Sequence, residues 1–476
     1  MADKLVAALD IGTSKIRAAA ARKDIFGKVS LLAVEQVDSE DSIIRGKIFN
    51  SELAAKKISS LLNKLNGALN YKHKTAFDRI YIGAGGESIH SERIIIKEPI
   101  PDGTVTKELL DKIEERVDTE AISCYWILDA VEKEYFIDGR KTEKPQGAAG
   151  SEIEARYMLI VGSPSPDVLI EKGLPPAITV AGRPVSALAT ADAVLTDNEK
   201  QIGCALVEIG MGITYVSVYQ SKRLKHLFTI PIGGAAITND ICILNVTAEE
   251  AEKLKTKYGS AIMNPDDLGT IAVENGREVN LQDLNNIIEA RVEEIFANVK
   301  YQLDESGCYN LLNAGVILAG GGALLKDLPM SAEKNLGLKA RIATPNQTET
   351  EQPIDLSCLV GILKLAQNDC GKFTAPVREE APAVVKEKPP VAPKPPVNPN
   401  PPTPTVGNRQ TSDNVASGGD SNESLLDKAA TKLMHLLGED GESAPKVEEP
   451  KEPKKKGGFL KTVKDGMKDL FNTEDI

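Results

Sequence analysis

A chain of 476 residues is long enough for two or more cores, because single cores stop growing at about 250–300 residues. Its composition, 41% hydrophobic and 26% charged, is that of a folding protein, and a net charge of −12 excludes nucleic acid as the main partner, since phosphate binding needs a basic surface. The six cysteines (Cys124, Cys204, Cys242, Cys308, Cys358, Cys370) are scattered with no CxxC pair, and no histidine lies near them at ligand spacing. Reduced, buried thiols of a cytoplasmic protein are expected, with neither a disulfide framework nor a metal cluster.

The N-terminus puts charge ahead of a short apolar run that is already a strand, so no leader peptide is expected, and no apolar stretch reaches the length of a membrane span. In chain order, strands are predicted at Leu5–Ile11 and Ile16–Ala21, a helix at Glu52–Leu65, strands at Arg79–Ala84 and Arg93–Lys97, and a helix at Lys107–Ile122. Ser51 and Thr106 stand where helix caps belong. Strands follow at Glu152–Val161, Cys204–Ile209 and Thr214–Tyr219, then helices at Ala248–Tyr258 and Asn285–Leu303, a strand at Val316–Ala319 and a helix at Leu356–Gln367.

Composition changes beyond residue 372. Eleven of the 27 prolines fall between Pro376 and Pro404, so 373–422 reads as an extended, disordered linker. Two helical patterns follow, within 423–438 and 457–472, separated by a charged spacer at 439–456.

One internal similarity sets the architecture. "ALDIGTSKIRAAA" (8–20) and "ALVEIGMGITYVSV" (205–218) share a plan of buried strand, acidic residue, Ile-Gly, tight turn and second strand. Aligning Asp10 with Glu208 also aligns Gly12 with Gly210, which implies two related halves.

The first turn can hold a phosphate: Gly12 lets the backbone turn so that successive N–H groups converge, Thr13 and Ser14 add hydroxyls, and Lys15 adds charge. A strand follows the turn, which excludes the Rossmann and Walker loops, both of which need a helix there. An ordinary glycine hairpin is the alternative reading of either copy alone. In the second turn, Gly210, Met211 and Gly212 can approach phosphate from the opposite side. Asp10 and Glu208 would then meet at the cleft floor and hold the waters of a bound Mg²⁺, although an acidic residue at a strand end also caps turns. "GVILAGGGALL" (315–325) is a strand meeting Gly320, Gly321 and Gly322, where a flat ring or ribose could lie on bare backbone. In "IPIGGAAITNDI" (230–241), Gly233 and Gly234 open a helix able to meet phosphate or ribose.

These four segments, in this order, resemble the actin-type nucleotide cleft, which implies ATP and Mg²⁺ as ligands. "AEEAEKLKTKYG" (248–259) resembles the helix that supplies ribose-side contacts, which implies that role for Glu252 and Lys255; i,i+3 pairing on a solvated helix explains them equally. "ALATADAVLT" (187–196) resembles the connecting helix of the bacterial FtsA cell-division family, and 79–162 resembles that family's inserted small subdomain. The expected fold is therefore α/β, an actin-like two-lobed ATPase with an FtsA-type insert. Its first lobe would comprise 1–78, 163–200 and 346–372, and its second 201–345.

The resemblance further implies binding to the FtsZ C-terminal peptide, contact with other division proteins, self-assembly into filaments, and a place on the cytoplasmic face of the inner membrane at the division site. The chain departs from the family pattern at Glu208, where Asp is usual, and at Met211, where Gly is usual. Ser186 and Ala187 stand where hydrolytic relatives place Glu-Pro, so ATP binding with slow or undetectable hydrolysis is expected.

In the last segment, Phe459, Leu460, Val463, Met467, Leu470 and Phe471 fall on one helical face, with Lys461, Lys464 and Lys468 beside it. Residues 451–471 carry seven lysines against three acids, the pattern of a helix lying in an anionic bilayer interface. Six apolar groups at ~1.5–3 kcal/mol each, less the cost of ordering, give weak, reversible binding per tail. Each lysine adds about 1 kcal/mol near anionic lipid. Docking on the protein's own core or on a partner is the alternative for this helix, and membrane and partner are equally open for 423–438.

Overall fold

Three strands, Lys4–Ile11, Lys15–Lys23 and Val29–Asp38, fold back on one another as an antiparallel meander. Arg79–Ile82 and then Thr179–Gly182 add in parallel beside Lys4–Ile11, completing a five-stranded sheet. The computed structural model describes residues 3–373 except 74, 122–125, 164, 166, 347 and 349–350. Both predicted tail helices, the spacer between them and the linker from 374 onward lie outside the described residues. Residue 373, placed in the linker from sequence, ends a short strand, Gly371–Phe373, paired with Thr75–Phe77.

A second five-stranded sheet repeats the plan. Cys204–Ile209, Thr214–Gln220 and Arg223–Ile230 form the meander, and Val316–Ala319 and Ala340–Ile342 add in parallel beside Cys204–Ile209. The match extends to single residues. Asp10 faces Arg17 and Ile11 faces Ile16 across the first hairpin, as Glu208 faces Tyr215 and Ile209 faces Thr214 across the second. The two halves inferred from 13 or so aligned residues are thus two sheets of one topology.

Helices cover these sheets and explain their apolar runs. The run Ala18–Ala21 is buried at every position because helices Ser51–His73 and Ser357–Leu365 both pack on its strand. In the second half, the long helix Leu281–Glu305 and the helix Ser186–Val194 pack on Thr214–Gln220. Ser186–Val194 and Ser357–Leu365 also cross each other closely: a Cβ on Gly361 would stand 1.9 Å from the Ala189 carbonyl oxygen, so only glycine allows this approach.

A separate four-stranded antiparallel sheet, ordered Arg140–Thr142, Trp126–Ile137, Glu152–Gly162, His90–Pro99, packs on helix Lys107–Ala121 around Ile96, Ile113, Val117 and Leu159. The insert therefore starts near His90. Arg79–Ile82, assigned from sequence to a 79–162 insert, belongs to the first sheet, where it pairs with Ala8 and Leu9. The insert leans on the edge strand of the second sheet: Thr229 Oγ1 donates to the Ile89 carbonyl (2.6 Å), Leu227 N–H to Ser91 Oγ (2.9 Å), and Arg223 to Glu132 and Glu134 (2.5 and 2.6 Å).

Ser51 is not a cap. Asn50 is, with its Oδ1 accepting from Leu53 N–H at 3.0 Å, and Ser51 is the first helical residue. Thr106 does cap, accepting from Leu109 N–H at 3.3 Å. The helix predicted to run to Gln367 stops at Leu365. The five described cysteines are free; Cys204, Cys308, Cys358 and Cys370 are buried and Cys242 is half-buried.

Candidate functional site

Each half delivers one strand with an acidic residue next to its end and one tight turn to a cleft of about 520 Å³. The turns are built alike. Gly12 N–H donates to the Lys15 carbonyl (3.1 Å) and Gly210 N–H to the Ile213 carbonyl (2.9 Å). Outside bonds brace both: Ser39 Oγ donates to the Gly12 carbonyl (2.7 Å), and Gly234 and Ala235 N–H donate to the Gly210 and Met211 carbonyls (2.9 and 2.8 Å). Among the described residues, the N–H groups of Thr13, Ser14, Met211 and Gly212 have no acceptor. Exposed, fixed N–H groups of this kind suit an anion.

The turns touch each other. A Cβ on Gly212 would lie 2.8 Å from Thr13 Oγ1 and 3.1 Å from the Arg45 Cα. Thr13 Oγ1 in turn accepts from Gly46 N–H at 3.0 Å, so its hydroxyl oxygen braces the loop Arg45–Gly46. Arg45 and Gly46 both have positive φ, 47° and 76°, forming a tight turn between the short strands Ile43–Ile44 and Lys47–Ile48.

Fifteen of the sixteen predicted nucleotide contacts line the cleft: Asp10, Gly12, Thr13, Ser14, Lys15, Glu208, Gly210, Met211, Gly212, Gly234, Glu252, Lys255, Gly320, Gly321 and Gly322. Gly233 does not. A Cβ there would meet the Gly210 and Met211 carbonyl oxygens at 2.5 and 2.7 Å, so its glycine serves packing behind the second turn. The helix N–H groups expected to meet a ligand here are spent on that turn. The glycine triplet is also partly structural: Gly320, at φ +80°, and Gly322 press on Ile209, while only Gly321 faces open space.

Asp10 and Glu208 stand together at the floor. Burial pushes the Glu208 carboxyl up to about 8; a bond from Thr190 works against this, and the Asp10 charge adds to it. Asp10 is raised by burial too, with Arg17 and a bond from the Cys358 thiol (3.6 Å) opposing. Glu208 Oε2 is buried without a hydrogen-bond partner among the described residues. An orphaned carboxylate oxygen beside a second carboxylate fits a hard cation. Among the described residues, no group of three or more acidic, histidine or cysteine side chains is placed to hold a metal ion.

Part of the lining is apolar, with Ile237, Ile295, Phe296, Leu324 and Leu325. Glu252 and Lys255 form an ion pair (2.6 Å), both tied to the Thr238 hydroxyl, which donates to Glu252 (2.5 Å) and accepts from Lys255 (2.8 Å). Sequence reasoning missed Arg17, Gly46, Tyr215, Thr256, Asp355 and Cys358, all of which line the cleft, as does Ser186, noted from sequence only for the Glu it stands in place of. Arg17 was legible: a two-residue turn at Thr13–Ser14 fixes its pairing with Asp10, and hence a shared face.

Two sheets of one strand order, each sending an acidic strand end and a glycine turn into a common cleft, define an actin-like protein. A family model described as "Cell division protein FtsA" matches residues 205–382. The FtsA of Porphyromonas gingivalis is 30% identical over 344 residues, spanning 70% of this chain and 71% of that protein. The FtsA of Neisseria meningitidis is 29% identical over 359 residues, 72% and 84% of the two chains. The chain belongs to the FtsA family of cell-division proteins. Its fold is similar to that in a solved PilM–PilN type IV pilus biogenesis complex, with a TM-score of 0.53 at 15% identity, covering 76% of this chain and 97% of that one.

Proposed function

We propose that this protein binds ATP with Mg²⁺ between its two turns and, through its C-terminal helix, tethers FtsZ filaments to the cytoplasmic face of the cell membrane at the division site. The observation that carries the reading is the pair of facing turns, with four N–H groups that have no acceptor among the described residues, beside two carboxylates. Gly12–Lys15 and Gly210–Gly212 would hold the phosphates, Asp10 and Glu208 the waters of the cation, and Glu252 and Lys255 the ribose. The apolar lining at Phe296 and Leu324 would take the base. Mg²⁺ held there would neutralise charge on the phosphates and favour ionisation of both floor carboxylates.

Family membership favours a role among the division proteins, with the FtsZ C-terminal peptide as partner. No described helix is long and apolar enough to cross a membrane. The membrane contact is assigned to 457–472, where lysines flank an apolar helical face. One such tail binds weakly; self-assembly into filaments would join many and make attachment firm.

The test is sedimentation of the full chain with vesicles of anionic lipid, Mg²⁺, ATP and a labelled FtsZ C-terminal peptide. Protein and peptide should pellet together, and removal of 457–476 should leave both in solution. Equal pelleting of the truncated chain would contradict the tether.

A further inference from the structure

We propose that the hairpin tip Ile25–Phe26 enters the surface of an anionic bilayer, as a second membrane contact beside the point where the tail leaves the first lobe. The inference rests on the tether reading above and adds the part of the folded body that touches lipid.

The tip joins Lys15–Lys23 to Val29–Asp38, at the end of these strands away from the cleft, which Lys15 lines. It is held stiffly. Asp24 Oδ1 accepts from Phe26 N–H (2.9 Å) and Lys28 N–H (2.8 Å), Asp24 N–H donates to the Lys28 carbonyl (3.0 Å), and Gly27 N–H donates to the Asp24 carbonyl (3.1 Å). This bracing leaves the apolar neighbours uncovered. Ile25 is 59% exposed, and Phe26, at 86%, is the most exposed large apolar side chain among the described residues. In water an ordered loop gains nothing by displaying two such groups. Two side chains on a convex tip are too little for a stable protein interface, which takes about 800 Å² per partner, but they have the shape of a wedge between lipid headgroups.

The surroundings of the tip suit an anionic surface. Lys28 is exposed, as is Lys72 at the end of the helix Ser51–His73, and neither pairs with an acid among the described residues. His73 reaches the Leu32 carbonyl (3.3 Å), which brings that helix end, with the 81% exposed Tyr71, to the tip end of the sheet. Acids near this end have partners: Asp24 in the turn, Asp3 with Arg22 (3.8 Å), Asp78 with Arg79 (3.7 Å), and Asp369 with the N–H groups of Leu5 and Gly371 (3.1 and 3.3 Å). The chain also leaves here. Lys23 donates to the Lys364 and Ala366 carbonyls (2.5 and 2.9 Å), Lys4 to the Gln367 carbonyl (2.6 Å), and Cys370 N–H to the Leu5 carbonyl (2.7 Å). Gly371–Phe373 then pairs with Thr75–Phe77. The segment 457–472, with its lysine-flanked apolar face, is therefore attached to the body beside the tip. A tail already in the bilayer keeps the tip close to it, so a contact too weak alone becomes effective. Two anchors at one end would stand the lobe with its cleft turned away from the lipid.

The experiment sediments the full chain with vesicles of phosphatidylglycerol and phosphatidylethanolamine in equal parts, and with vesicles of phosphatidylcholine. Ile25→Ser combined with Phe26→Ser should raise the lipid concentration that pellets half the protein by about tenfold, and leave ATP affinity unchanged. Lys28→Glu should weaken pelleting several-fold on the anionic vesicles and not on phosphatidylcholine. The chain has one tryptophan, Trp126, so Phe26→Trp combined with Trp126→Phe places the single indole at the tip. Its emission should shift to the blue on anionic vesicles and be quenched by bromine-labelled lipid. Equal pelleting of the double-serine variant and the wild type, or an indole that emits as in water while the chain pellets, would overturn the proposal and leave the tether standing. A blue shift that grows with protein concentration in the absence of vesicles would overturn it in favour of a contact between copies. A wild type that does not pellet with anionic vesicles would instead sink the tether reading itself.

Discussion

Gly212 shows how single residues set this cleft. Its missing side chain lets the second turn lie against Thr13 and the Arg45 backbone, the latter unable to move aside as a flexible side chain could. In Gly212→Ala the turns must part by several tenths of an ångström, an overpacking cost of ~1–3 kcal/mol. Because the strain falls on the ligand-binding geometry, ATP affinity should drop about tenfold or more while the circular dichroism spectrum is kept. Unchanged affinity in a calorimetric titration would show that the facing turns do not grip the ligand. Glycines were legible here as backbone freedom, yet their reasons differ. Gly210 and Gly212 belong to the turn, Gly233 to the packing behind it, and Gly320 and Gly322 to contact with Ile209. A sequence displays all five alike, since what a Cβ would strike lies far along the chain. Gly46 and Cys358 were invisible for the same reason: nothing local marks a residue that a distant loop or helix brings to the cleft.

Elements were readable where burial was complete and unreadable at edges. Cys204–Ile209 and Val316–Ala319 match their expected bounds residue for residue, because both are buried, apolar and central in their sheet. Val29–Asp38 and Arg223–Ile230 are edge strands with half-exposed faces; the apolar run of the first, Leu31–Val34, is short, and the second has charges breaking into it. Trp126–Ile137 escapes for another reason: two register shifts against Glu152–Gly162 break its alternation.

The Arg223–Ile230 edge also carries a pH prediction. His226 donates or accepts a bond with Gln302 of the long helix at 2.9 Å and stacks on Phe228. Burial lowers its pKa below the ordinary 6.5; the Gln302 bond and Glu305 oppose this, while Arg93 and His90 add to it. The unfolded chain thus takes up a proton at a pH where the folded chain does not, so stability falls on acidification below 6.5. Urea midpoints measured across that window should decline less steeply in His226→Gln than in the wild type. Parallel declines would mean that His226 protonates as freely in the folded protein.

At the scale of the molecule, a short internal match announced a duplicated sheet, and two sheets of identical strand order followed. The insert's existence was also legible, but not its start, because Arg79–Ile82 reads like any strand and only its partner, Lys4–Ile11, assigns it to the first sheet. Duplication matters for function because each half alone offers one carboxylate and one turn. Only the pair encloses a charged ligand from both sides, which is the central claim about this protein. A crystal structure of the full chain grown with ATP and Mg²⁺ tests it most directly. The account predicts phosphates between Gly12 and Gly210, a hydrated cation over Asp10 and Glu208, and the base toward Phe296. An empty cleft, or a nucleotide bound elsewhere, would contradict it.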